Sequence, residues 1–151
     1  MSVPENQRTT GKLNALVKAR MLCTHTFQIT SNENVFNPKY ERLVERIIDA
    51  VVAIYQCAWN ANDIRVTMTR DGWWKDAQDR LDLQKESIRR CKDLIGLIEI
   101  SRGLFHLRKK KVEYWMRKAN EARESIAAWS NADRNRYNEE YKKQSRGKEK
   151  Q

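Results

Sequence analysis

A chain of 151 residues is long enough for one domain and short for two. Its hydrophobic fraction of 40 % and charged fraction of 33 % suit long helices with wet outer faces. Five glycines and two prolines leave too little turn chemistry for a many-stranded sheet, so an all-α chain is expected. A net charge of +10 draws polyanions through the field of the whole protein, nucleic acid being the commonest such partner; the competing reading is a soluble basic protein whose charge is incidental.

Residues 1–11 are polar and read as a flexible N-terminus. A first helix is expected from about Lys12 to Ile29, with Leu13, Leu16, Val17, Met21 and Thr24 on its packing side and Ser31 to Asn34 as a loop. Asn37-Pro38 is a helix start, a capping side chain followed by a proline at the first helical position. Tyr40, Leu43, Val44, Ile47, Val51, Ile54, Tyr55 and Ala58 then recur with helical period, and this helix should end between Trp59 and Asp63. Residues 64–74 read as either a helical continuation or a short extended connection, with a turn at Asp71-Gly72.

From Lys75 to Trp129 the pattern predicts two long helices. Ala77, Leu81, Gln84, Ile88, Cys91, Ile95 and Ile98 mark the stripe of the first, which broadens at Leu94, Leu97 and Ile100 and breaks at Gly103. Leu104 to Leu107 form the corner, and Val112, Trp115, Met116, Ala119, Ala122, Ile126 and Trp129 line the return helix. One helical hairpin cannot bury both stripes against itself, so two more helices are needed and the upstream sequence supplies them. The expected architecture is an up-down four-helix bundle over residues 12–130, followed by a polar, flexible basic tail over 131–151.

No HExxH, CxxC, GxSxG or glycine-rich phosphate loop is present, and neither His25 nor His106 follows a glutamate by three residues. Neither an enzyme, a metal site nor a cofactor is therefore expected. Cys23, Cys57 and Cys91 lie on three different helices, which suits buried free thiols in a reducing compartment better than a disulfide framework. With no N-terminal apolar run and no stretch long enough to cross a membrane, the expected location is cytoplasmic.

The basic residues are the candidate site. Arg108, Lys109, Lys110 and Lys111 open the last helix against the dipole's positive end, a placement that an anionic partner would offset. Lys110 shares a face with Arg117, and Lys111 with Lys118. Lys85, Arg89, Arg90 and Lys92 form a second cluster on the preceding helix. Together these ten residues are expected to make a continuous positive surface for phosphate contacts. Trp59, Trp115 and Trp129 sit in helical register as core or subunit contacts. Trp73 and Trp74 stay open between two roles: stacking on a base or anchoring a protein partner, or capping the open end of the bundle.

The order of these features resembles the four-helix-bundle family of accessory variability proteins from diversity-generating retroelements. It is also similar to the related bundle proteins encoded in intervening sequences of bacterial 23S ribosomal RNA genes. The resemblance runs from Lys12 to Trp129. It rests on Phe36-Asn37-Pro38-Lys39-Tyr40 before a long helix, on Leu94-Ile95-Gly96-Leu97-Ile98-Glu99-Ile100 before a leucine-rich corner, and on Ala127-Ala128-Trp129. It implies a homopentamer that binds the retroelement's reverse transcriptase and its template RNA or DNA in support of mutagenic cDNA synthesis. Trp73-Trp74 and the basic segment after Asn131 depart from that pattern. Apolar residues in excess of one core, around Leu94 to Phe105, point independently to self-association.

Overall fold

The computed structural model describes residues 5–149, with side chains from 11 to 149; the first four residues of the expected flexible N-terminus and the last two of the expected tail lie outside the described residues, and the rest of that N-terminus, from Glu5, is already helix. The fold is all-helical. Four helices follow in order: α1 (Glu5–Thr30), α2 (Glu41–Asp63), α3 (Trp73–Leu104) and α4 (Lys109–Glu149). Each packs on its chain neighbours, and α4 closes the ring against α1. Asn14 meets Ser125 and Thr26 meets Trp115, so α1 and α4 run in opposite senses along their seam.

The helix boundaries follow local chemistry. The Asn37 side chain accepts a hydrogen bond from the Lys39 amide at 2.9 Å, and Pro38 opens a 3-10 turn (Pro38–Tyr40) that leads into α2. Residues 64–72 are a connection rather than more helix: Ile64 is extended, and Gly72 adopts φ +80°, a conformation that favours glycine, just before α3 begins. Gly103 does not break α3, which ends one residue later where Phe105 turns extended.

In α2 the buried positions Ile47, Val51, Ile54, Ala58 and Ala61 repeat at steps of four and three, as the sequence predicts. Each large aliphatic side chain buried this way contributes about 1.5 to 3 kcal/mol. In α3 the seam is rotated slightly from expectation. Gln84, Ser87, Cys91, Leu94, Ile98 and Ser101 are buried, while Ile88 and Ile95 pack on the flank of the core. The two serines are satisfied inside: the Ser87 hydroxyl donates to the Ile54 carbonyl at 2.7 Å and Ser101 to the Leu97 carbonyl at 2.9 Å.

The packing face of α1 is the clearest correction. Ala15, Ala19, Leu22, Thr26 and Thr30 turn inward; of the expected face only Leu16 packs on the core, while Leu13 is 53 % and Met21 50 % exposed beside exposed Val17 and Thr24. The seam of α1 with α4 fixes this rotation: Asn14 meets Ser125, and the indole N–H of fully buried Trp115 donates to the Thr26 hydroxyl at 3.0 Å. Phe36 packs on Phe105 and Trp115, and Tyr40 on Phe105, closing this end of the bundle.

The segment after Asn131, expected as a loose polar tail, continues α4 as helix to Glu149. Asp133 and Tyr137 extend the buried seam. Arg80 Nε and Gln84 Nε2 each donate to Asp133 Oδ2 at 2.8 Å, and Arg136 donates to its other oxygen at 3.0 Å. Arg80 also donates to the Ile64 carbonyl and lies over the Trp129 ring. Beyond this polar layer, Trp73, Ala77, Leu81 and Tyr137 form a second small core under Val66, Met68 and Trp74.

Candidate nucleic-acid interface

That second core decides the tryptophan pair. Trp73 is 6 % exposed, packs against Tyr137, and donates its indole N–H to Gln144 Oε1 at 3.0 Å. Gln144 in turn donates to the Met68 carbonyl at 2.8 Å. Trp73 therefore has no face left for a partner. Trp74 is half-buried and stacks on the exposed ring of Tyr141 at 4.3 Å between centroids. The two tryptophans hold the C-terminal third of α4 against the start of α3 and the 64–72 connection.

The cations divide between two seams. Arg90 and Lys92 line an open groove of about 620 Å³ between α2 and α3, facing Arg46 across it. Lys110 and Lys111 line grooves between α1 and α4. In a ring of four helices these two seams lie on opposite sides, so the ten expected residues do not form one continuous surface.

The two clusters also differ in how free their charge is. On α3, Arg89 and Arg90 both bind Glu86, and both lie within 4 Å of Asp93. The hydrogen bond from Arg89 holds the Glu86 carboxyl below the usual carboxylate range, so this network stays ionised and self-neutralised. Lys85 and Lys92 are exposed on the same helix. On α4 the first turn holds no acidic residue. Among the described residues Arg108, Lys110, Lys111 and Arg117 have no carboxylate within 4 Å, Lys109 reaches Glu113 only at 3.9 Å, and Lys118 meets Glu121 at 3.5 Å. Unpaired cations at a helix N-terminus are unfavourable for the helix, and an anion would relieve them.

Sequence reasoning missed the companions of this α4 cluster. Tyr114 is 40 % exposed, with Arg117 and Lys118 at 5.4 and 5.1 Å from its ring centroid and His25 edge-on at 5.0 Å. Burial, with help from the Lys118 charge, pushes the His25 pKa down and favours the neutral ring. The signal was the tyrosine inside a basic run, an aromatic interleaved with cations.

No protein-family model, curated protein or solved structure matches this chain. Among the described residues no cluster of His, Cys, Asp and Glu is arranged to hold a metal ion, and no helix is long and apolar enough to cross a membrane. Cys91 is buried, and Cys23 and Cys57 are half-buried; all three are free thiols.

Proposed function

We propose that the protein is a non-catalytic nucleic-acid-binding accessory factor, built as an up-down four-helix bundle and acting beside a reverse transcriptase on its RNA or DNA template. The observation that carries this reading is the set Arg108, Lys110, Lys111 and Arg117 at the start of α4, none with a carboxylate within 4 Å among the described residues, in a first turn that holds no acidic residue. Such charge contributes nothing to the fold where it stands and attracts phosphates. The reverse transcriptase enters only through the resemblance of residues 12–129 to accessory proteins of diversity-generating retroelements. A cytoplasmic location accords with three free thiols.

The factor works as a homo-oligomer, a pentamer by the same resemblance. Support for self-association comes from α1 and α2 more than from the corner named by the sequence. Leu13, Val17, Met21 and Phe27 are exposed on α1, and Val52 and Trp59 on α2, with Trp59 53 % exposed beside Tyr55. Around the corner only Ile100 and Leu104 are open, because Leu94, Ile98 and Phe105 are consumed by the core. Apolar surface of this extent marks an interface.

The test is a reconstituted extension reaction with a retroelement reverse transcriptase and its template RNA. The expected result is more cDNA with the protein present, and co-purification of enzyme and protein. No effect on synthesis together with no RNA binding would leave the second reading, an oligomeric interaction module with incidental charge, in its place.

A further inference from the structure

The α1/α4 seam carries more than charge. Two cavities of about 360 and 300 Å³ lie end to end along it and share Gln28, Ile29 and Lys111. One opens beside Tyr114 and His25, the other beside Asn32, His106 and Arg108. A positive groove with an aromatic side chain in its lining is the arrangement that holds unpaired bases, which can leave the stack and lie on a ring.

We infer that this trough takes two successive unpaired nucleotides of a single strand, one base in each cavity, with Lys111 at the phosphate between them. The inference rests on the nucleic-acid reading above and names the form of the ligand.

Four features of the seam argue for it. Each cavity is an open groove with a volume at the low end of that of ligand sites. The Tyr114 ring is partly exposed at the mouth of the first, and Arg117 and Lys118 are held at its face, so stacking surface and phosphate-binding charge are supplied together. Donors and acceptors for base edges are free. The Gln28 side chain is exposed and makes no hydrogen bond among the described residues, Asn32 uses its side-chain oxygen on the Asn34 amide and keeps its NH₂, and His25 Nε2 is buried with no hydrogen-bond partner. A buried, unpartnered ring nitrogen beside two unpaired lysines is costly without a ligand to satisfy it. The groove between α2 and α3, by contrast, has Arg90 tied to Glu86 and Asp93 and no aromatic ring in its lining to stack a base beside Arg46 or Lys92.

The experiment measures affinity by fluorescence anisotropy for a labelled 20-mer, as single-stranded RNA, single-stranded DNA and the corresponding DNA duplex, at one fixed salt concentration. Wild type is compared with Tyr114→Leu and Tyr114→Phe, each checked for an unchanged melting curve. Single strands should bind at least about tenfold more tightly than duplex. Tyr114→Leu should lose about fivefold to a hundredfold on single strands, the range of one base–aromatic stack, and stay within twofold on duplex. Tyr114→Phe should restore most of the single-strand affinity. If nucleic acid binds but Tyr114→Leu matches wild type, or if leucine and phenylalanine lose equally, the trough is not the site and the accessory function stands. If no form binds, the nucleic-acid reading falls and this inference with it. RNA against DNA in the wild-type arm tells which strand the trough prefers.

Discussion

Replacing Tyr137 by alanine tests whether the C-terminal third of α4 belongs to the folded body. Tyr137 is fully buried against Trp73, Ala77 and Leu81, in a cluster built by residues more than fifty positions apart. Removing a buried aromatic side chain costs about 3 to 5 kcal/mol, transfer and cavity terms together. For a chain of this size each 1 kcal/mol moves the melting midpoint by roughly 2 to 4 °C, so Tyr137→Ala should lower it by about 6 to 20 °C. Tyr137→Phe keeps the ring and gives up only the hydroxyl that accepts from Arg136 at 3.2 Å, a loss of about 1 kcal/mol. A chain ending at Tyr141 loses Gln144 and its bonds to Trp73 and Met68, and should melt about 2 to 8 °C below the full chain. Thermal unfolding followed by circular dichroism reads all three. If Tyr137→Ala melts within 2 °C of wild type, the second core does not exist in solution and the segment after Asn131 is the loose tail its polarity suggests.

Asp133→Ala should be as damaging, because it leaves Arg80 and Arg136 buried without their counter-charge, at a cost of about 3 to 5 kcal/mol in a denaturant titration. Cys91, pushed up to about 12 by burial, should resist iodoacetamide at pH 8 in the native protein and react fully in denaturant. Its raised pKa favours the protonated thiol in the fold, so that contribution is complete below about pH 9 and fades as pH rises toward 12. Met21→Glu combined with Trp59→Ser should shift sedimentation toward monomer at tens of micromolar with little change in melting, and an oligomer of unchanged size would place the interface elsewhere.

The helical class, the Asn37-Pro38 start and the Asp71-Gly72 turn are legible because capping and turn chemistry are local. The seam of α2 is legible because every buried position is apolar. Elsewhere the inward residues are small or polar. Ala15 and Ala19 lose to Leu13 and Met21 in any count of hydrophobicity, and it is the packing of α1 on α2 and α4, far along the chain, that turns them inward. Ser87 and Ser101 hide the α3 seam for the same reason. Asp133 reads as solvated until Arg80 and Gln84, from another helix, are seen to pair with it. The candidate site follows the same rule: the basic run on α4 is visible as composition, whereas the split between seams and the place of Tyr114 depend on how the helices pack.

The salt dependence of RNA binding tests the central claim most directly. Binding through phosphates releases counterions and gives a log–log slope near −0.7 per contact on a single strand. The double variant Lys110→Gln, Lys111→Gln removes two unpaired cations from the α1/α4 seam and should flatten the slope by about 1.4, on every sequence alike, without lowering the melting midpoint. The matched double variant Arg90→Gln, Lys92→Gln on the α2/α3 side should change it by less than half as much, since Arg90 already spends its charge on Glu86. Equal slopes for wild type and the Lys110, Lys111 variant would contradict the account and leave the charge of α4 as ordinary solvation.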